Sequence, residues 1–130
     1  MTVAECIDLY DREHPNDTDM ELKMRWLKTV DNAVINEVVK THWERREEEI
    51  DEETYFDDWD ENKDLLIPDP HIDVYHYYMD ARIKMMRNES KGIERAMTLY
   101  NNAYLIYQQY YNRTHPPKQP RKRYIQHTRL

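Results

Sequence analysis

Apolar residues recur at intervals of three and four along four stretches of the chain, which is the spacing of amphipathic α-helices. The four predicted helices cover residues 2–12, 17–43, 71–87 and 90–112. Thr2 followed by Glu5 is the pattern of a capping box at the start of the first helix. The second helix is predicted to begin at Asp17 or Thr18. This pattern predicts an all-α fold, a small antiparallel bundle of about four helices.

The entry to the third helix is marked by two prolines around one acid. Pro68 and Pro70 favour an extended entry, and Asp69 is predicted to cap the third helix with Pro70 at its first position. Residues 88–90 are predicted to interrupt the helical structure between the third and fourth helices. The last of them is predicted to cap the fourth helix, and Gly92 lies just past this break.

The fourth predicted helix carries two stripes of large residues, rotated by about 100° from each other. One stripe is Leu99, Ala103, Ile106 and Tyr110; the other is Tyr100, Tyr104, Tyr107 and Tyr111. If every tyrosine were in the core, four buried hydroxyls would each need a hydrogen-bond partner. We therefore predict that the stretch from Leu99 to Ile106 faces the core and that the tyrosine stripe lies at a subunit boundary, where tyrosine is enriched.

Charge is sorted along the chain. Residues 44–64 contain twelve acidic and three basic residues, a net charge of −9. Residues 116–130 contain five basic residues and no acid. We therefore predict one helical domain, residues 1–115, with an acidic inserted loop at 43–70 and a basic, proline-containing, extended C-terminal tail at 116–130. The basic candidates for partner contact in the tail are Lys118, Arg121, Lys122 and Arg123.

Three aromatic residues lie inside the acidic loop: Tyr55, Phe56 and Trp59. A solvated loop has no need of three large rings. They either return to the body of the protein as a small satellite cluster or dock on a partner protein. The sequence leaves both interpretations open.

The amino-acid composition argues against several classes of fold and function. Gly92 is the single glycine, so the chain lacks the glycines that hairpin turns and phosphate-binding loops need. The net charge of −7 argues against a duplex-DNA binder. Cys6 has no second cysteine to pair with and is expected to be a small buried hydrophobe. With no signal-peptide pattern and no apolar run of membrane-spanning length, we expect a soluble protein made in a cytoplasm.

Two pairs have the spacing of metal ligands on one helix face, Asp11 with His14 and Asp73 with His76. Such pairs resemble half of a di-iron site, but that chemistry uses glutamates and needs two more from other helices. We therefore expect surface polar pairs, no metal and no cofactor. We expect the acidic run not to be a calcium loop, which needs alternating acids and a glycine, and no catalytic triad or nucleotide motif is present. The chain is expected not to be an enzyme.

Three segments resemble the neck proteins of tailed bacteriophages. They are LLIPDPHIDVY at residues 65–75, YNNAY at 100–104 and YYNRTHPPK at 110–118. In that family a "LL-P-P-Y-D-x-Y" entry, an "NNAY" helix and a "YYNRTH-P-K" exit recur in this order. The chain departs from the pattern at His71, where tyrosine is common, and at residues 116–117, where one proline is usual.

The resemblance implies a head–tail connector, or adaptor, in the neck of the virion. It implies a structural subunit without catalytic residues, in a homo-oligomeric, dodecameric ring that joins the portal protein to tail-side neck or tail-completion proteins. DNA would pass through the ring without specific binding, and no membrane would be involved. The virion subunit would be made in the host bacterial cytoplasm. The alternative is a small helical regulatory or nucleic-acid-binding module that uses the basic tail.

Overall fold

A computed structural model of the chain describes residues 1–39 and 52–115. Within these ranges every regular element is helical, which confirms the predicted all-α class. The α-helices are α1 (Val3–Glu13), α2 (Met20–Val34), α3 (Glu52–Phe56), α4 (Asp73–Met86) and α5 (Ser90–Thr114). A π-helical turn, Ile35–Val39, continues α2, and a short 3₁₀ turn, Asp69–His71, precedes α4.

The start of α1 follows its local sequence. The Thr2 hydroxyl accepts a hydrogen bond from the Glu5 backbone N–H at 3.2 Å. The Glu5 carboxylate accepts one from the Thr2 N–H at 2.8 Å. Both halves of the predicted capping box are therefore present.

The end of the acidic loop lies against this same helix start. The N–H of Val3 donates to the carbonyl of Lys63 and the N–H of Ala4 to the carbonyl of Glu61, each at 2.9 Å. The first N–H groups of a helix have no partner within the helix. The carbonyls of Glu61 and Lys63 supply those partners, so this part of the acidic loop belongs to the folded body.

The second helix begins later than the sequence predicts. Asn16 organises the preceding turn by accepting from the Thr18 N–H at 3.0 Å and donating to the Asp11 carboxylate at 3.0 Å. The α-helix therefore starts at Met20, after Asp19. The prediction that it reaches residue 43 extends outside the described residues.

The helices α4 and α5 make the most extensive contact in the described structure. The rings of Tyr78 and Tyr100 lie 5.2 Å apart, and those of His71 and Tyr107 lie 5.7 Å apart. The turn between the two helices takes its left-handed residue from Asn88, with φ of 57°, which Asn tolerates better than most residues.

Gly92 lies in the first turn of α5, just past the turn that separates this helix from α4, as predicted. Two other expectations for these helix starts are wrong. Ser90 is the first residue of α5, and Glu89 precedes it without a side-chain cap. Asp69 does not cap α4; its carboxylate lies 2.9 Å from the Met1 ammonium nitrogen.

The core lies between α4 and the faces of α1, α2 and α5. Leu65 and Ile67, from the run that leads into α4, complete it. The largest fully buried side chains are Tyr10, Tyr75, Ile7, Leu27, Ile35, Ile67 and Met79. No helix within the described ranges has both the length and the apolar character needed to cross a membrane.

Candidate functional site

The tyrosine stripe of α5 faces the interior. Tyr104 and Tyr107 are 8% and 3% exposed, whereas Ile106 on the supposed core stripe is 56% exposed. Tyr100 and Tyr111 are half-buried and pack against the core. The prediction that the stretch from Leu99 to Ile106 faces the core and the tyrosines a subunit boundary is therefore wrong for Ile106, Tyr104 and Tyr107. Ala103 and Tyr110 of the predicted core stripe do pack against the core.

The buried hydroxyl of Tyr104 has a hydrogen-bond acceptor that is distant in the sequence. Tyr104 donates to the Glu37 carboxylate at 3.0 Å, and Glu37 lies on the π-helical turn after α2. Burial, with the Glu37 contact second, raises the pKa of Tyr104 above its ordinary value. Burial also raises the pKa of Tyr100 and of Tyr107. These phenols therefore stay protonated and serve as packing groups and donors.

The aromatic residues of the acidic loop return to the body of the protein. The Trp59 indole N–H donates to the Met24 carbonyl at 3.2 Å. Phe56 lies between its neighbours, with its ring 4.9 Å from Tyr55 and 5.7 Å from Trp59. Of the two interpretations left open, the satellite cluster is the one that these contacts support. All three side chains remain half-buried, so each keeps an accessible edge.

A buried carboxylate joins this cluster to the core. Asp31 of α2 is completely inaccessible to solvent. It accepts hydrogen bonds from the Tyr75 hydroxyl at 2.5 Å, from the Tyr55 hydroxyl at 2.6 Å and from the Leu66 N–H at 3.3 Å. The Tyr75 hydroxyl also accepts from the Ile67 N–H at 2.9 Å, so its own proton is directed at Asp31. We call these five residues the Asp31 network.

Burial dominates the electrostatics of the network. It raises the pKa of Asp31 from 3.8 to about 6, although the hydrogen bonds from Tyr55 and Tyr75 act in the opposite direction. Burial and the Asp31 charge together raise the pKa of both tyrosines. The arrangement is a structural clamp that holds α2, α4 and the acidic loop together, and sequence analysis missed it. The one local signal was an acid on the apolar side of α2.

The metal-like pairs do not form a site. His76 is buried, with Nε2 3.1 Å from the Cys6 carbonyl oxygen, and burial lowers its pKa. Asp73, at the start of the same helix, is exposed. Asp11 instead accepts from the ammonium group of Lys23, at 2.8 and 2.9 Å. The expectation of surface pairs is thus wrong for His76, which is a core residue.

The acidic loop does contain an alternating run that the sequence argument overlooked: Asp58, Asp60, Asn62 and Asp64. Together with Tyr55 and Lys63 it lines an open depression of about 610 Å³. The ammonium group of Lys63 lies 2.7 Å from Asp58, a hydrogen bond that lowers the pKa of that carboxyl. In the part of the chain that the structure covers, no three acidic, histidine or cysteine side chains are placed to hold a metal ion.

The basic candidates of the tail, Lys118, Arg121, Lys122 and Arg123, lie outside the described residues. Residues 44–49, which contain four of the loop's twelve acids and two of its three basic residues, also lie outside them. The interface role predicted for these residues stays a prediction.

The outer side of α5 includes Ile106, which was predicted to face the core. Leu105 and Ile106 are 51% and 56% exposed there. Around them, Asn101, Asn102 and Gln109 are also exposed. This face carries apolar and amide groups toward solvent.

Comparison of the chain with models of known protein families, with curated proteins and with solved structures finds no match.

Proposed function

We propose that this chain is a structural subunit of a bacteriophage neck, in a ring that joins the portal to the tail and continues the DNA channel. The proposal is supported by the resemblance of residues 65–75, 100–104 and 110–118 to the phage connector family. In this role the helices form a small antiparallel bundle and no reaction is catalysed.

The observation that carries the proposal is that the resembling segments pack on one another. The ring of His71, from the first segment, lies 4.8 Å from the ring of Tyr110 in the third. Tyr75, at the end of the first segment, receives the Ile67 N–H and binds Asp31. The motif residues therefore determine how the entry to α4 is fixed and how α5 lies on it. A resemblance in such residues favours a shared fold.

The tyrosine stripe no longer supports the assembly argument, because its centre is buried within one subunit. Assembly instead requires surfaces that remain accessible, since a ring subunit uses two different faces for its neighbours. The half-buried edge of the aromatic cluster at Tyr55, Phe56 and Trp59 is one such accessible surface.

Charge agrees with a channel role. The chain carries a net charge of −7, and a surface of that sign repels phosphates. DNA would then slide past the ring without binding to it. The proposed location is the neck of the virion, with the portal, tail-side neck proteins and further copies of the chain as partners.

The experiment mixes the full chain with a portal ring from a tailed phage that encodes it and examines the product by electron microscopy. We expect a second ring stacked on the portal. A chain that neither binds the portal nor changes its image would contradict the proposal. A DNA-binding titration with salt tests the alternative, which requires a steep salt dependence that is lost when residues 116–130 are removed.

A further inference from the structure

The longest stretch without a charged residue lies on α5. Residues 96–112 contain seventeen consecutive uncharged residues, whereas the next longest such run, residues 74–79, contains six. In a chain that is 35% charged, the usual expectation for a surface helix is a charged outer side. Between residues 96 and 112 the outer side of α5 lacks those charges, which resume at the exposed Glu94 and Arg95 before the run and at Arg113 after it.

The exposed part of this run forms one continuous face. We define the α5 outer face as Thr98, Asn101, Asn102, Leu105, Ile106, Gln109 and Asn112, all of which are exposed. Thr98, Leu105 and Asn112 follow one another at seven-residue intervals, with Asn101 three residues after the first of them. This is the spacing of a seam along which two helices pack.

The α5 outer face is self-complementary in its hydrogen-bonding groups. Amide side chains both donate and accept hydrogen bonds, so Asn101 or Gln109 can pair with the same residue types on an identical surface. Leu105 and Ile106 supply the apolar centre. Depletion of charge at the centre of a patch is the compositional sign of a protein–protein interface.

The absence of charge on the α5 outer face also indicates which partner fits it. Two copies of a chain with net charge −7 repel each other, and like charges brought face to face oppose binding. The α5 outer face lets a second copy approach with no charged side chain at the centre of contact. A strongly charged partner would gain no ion pair there.

We propose that the α5 outer face binds the same face of a second copy of this chain. Leu105 of each copy lies at the crossing point, and Asn101 lies opposite Gln109 of the other copy. The inference goes beyond the proposed ring, because a contact between identical faces has two-fold symmetry whereas a ring closes through two different faces.

The two helices run antiparallel in this contact. In a parallel pair, Glu94, Arg95 and Arg113, which are exposed just beyond the face, would each meet their own equivalent, which is unfavourable. Antiparallel pairing centred on Leu105 instead brings Arg113 of one copy to within about 5 Å, along the helix axis, of both Arg95 and Glu94 of the other, at 1.5 Å per residue. An opposite charge then lies beside the like one.

The contact is small, so it is weak when α5 acts alone. The face is about 21 Å long and about 10 Å wide, roughly a quarter of the area that each partner buries in a standard interface. We therefore expect a reversible dimer that forms at high protein concentration.

The experiment measures self-association of the full chain by sedimentation from about 10 µM to about 1 mM, the range of weak interfaces. We expect the wild-type chain to dimerise in this range. Leu105→Lys should weaken dimerisation by about tenfold or more, because it places two like charges at the crossing. Met86→Lys is the matched control, since Met86 is 59% exposed and lies outside the face. It should leave dimerisation unchanged.

Disulfide trapping gives a second readout that tolerates weak binding. Leu105→Cys should form covalent dimers on mild oxidation, whereas Met86→Cys should not; the native Cys6 is buried. A wild-type chain that stays monomeric at about 1 mM, together with equal trapping of the two cysteine variants, overturns the inference. Portal binding by such a chain would leave the proposed function standing, so the two failures are distinguishable.

Discussion

The Tyr55 hydroxyl lies 2.6 Å from Oδ2 of Asp31, and through this contact the acidic loop is attached to α2. The described hydrogen bonds to Asp31 come from two phenols and one backbone N–H. These donors offset part of the cost of burying a carboxylate, whose pKa burial still raises to about 6. The acidic loop is thus attached to the body of the protein through another acidic residue, the buried Asp31.

Removal of the Tyr55 hydroxyl tests this attachment. We expect Tyr55→Phe to lower the free energy of unfolding by about 1.5 to 3 kcal/mol, the range for a hydrogen bond to a charged group. Urea unfolding followed by circular dichroism measures the change. Tyr77→Phe on α4 is the control, because Tyr77 is also half-buried but does not contact Asp31. Equal effects of the two substitutions would mean that Tyr55 contributes no more than its ring.

The raised pKa of Asp31 makes stability depend on pH. Its pKa goes from 3.8 in the unfolded chain to about 6 in the folded one, so the folded state binds more protons between these values. The contribution of Asp31 is therefore largest below pH 4 and declines as the pH rises to about 6, by on the order of 3 kcal/mol. The measurement compares the unfolding free energies of wild type and Asp31→Asn from pH 4 to 7.

His76 acts with the opposite sign over the same range. Burial lowers its pKa, so its contribution is lost as the pH falls below the unfolded value of 6.5. The wild-type curve alone therefore combines both groups. We expect the difference between wild type and Asp31→Asn to fall with rising pH; a constant difference would rule out the titration of Asp31.

Neighbouring residues of α5 should differ sharply in their effect on stability. Tyr107 is 3% exposed and Ile106 is 56% exposed. We expect Tyr107→Ala to cost about 3 to 5 kcal/mol, as for other large aromatic residues in cores. Ile106→Ala should change stability by about 0.5 kcal/mol or less. Thermal unfolding of both variants measures the two losses of stability. A larger loss for Ile106→Ala than for Tyr107→Ala would support the sequence prediction that Ile106 faces the core.

Alanine should be tolerated at Gly92 if the neighbouring Lys84 side chain can move. A Cβ at this position would lie 2.7 Å from Cδ and Cε of Lys84, which are atoms of a flexible side chain. Alanine gains about 1 kcal/mol over glycine inside a helix. We expect Gly92→Ala to give less than this in the wild type and the full gain beside Lys84→Ala. A double-mutant cycle measures the coupling, and additive effects would contradict the close approach.

Features set by adjacent residues were predictable from sequence. The capping box at Thr2 and Glu5 needs no distant partner, and the helical periodicity requires only the spacing of apolar residues. The all-α class follows from those two signals. The phage connector role rests on resemblance and stays a prediction.

Features set by distant partners were not predictable. Tyr104 is buried because Glu37 supplies an acceptor 67 positions away in the chain, so its hydroxyl gave no local sign of being satisfied. Asp31 likewise depends on Tyr55, Leu66 and Tyr75. Apolar character alone placed Ile106 inside, yet the interior holds the larger tyrosine rings. Helix periodicity gives the two stripes but does not say which one meets α4.

The pairing of the first residues with residues 61–65 has a consequence for folding kinetics. The Leu65 N–H donates to the Met1 carbonyl at 3.0 Å and the Val3 N–H to the Lys63 carbonyl at 2.9 Å, so a loop of roughly 60 residues must close before α1 is complete. Non-local contacts of this kind slow the approach to the native state. The α4–α5 pair, whose helices are joined by three residues, can form early, whereas α1 is completed late.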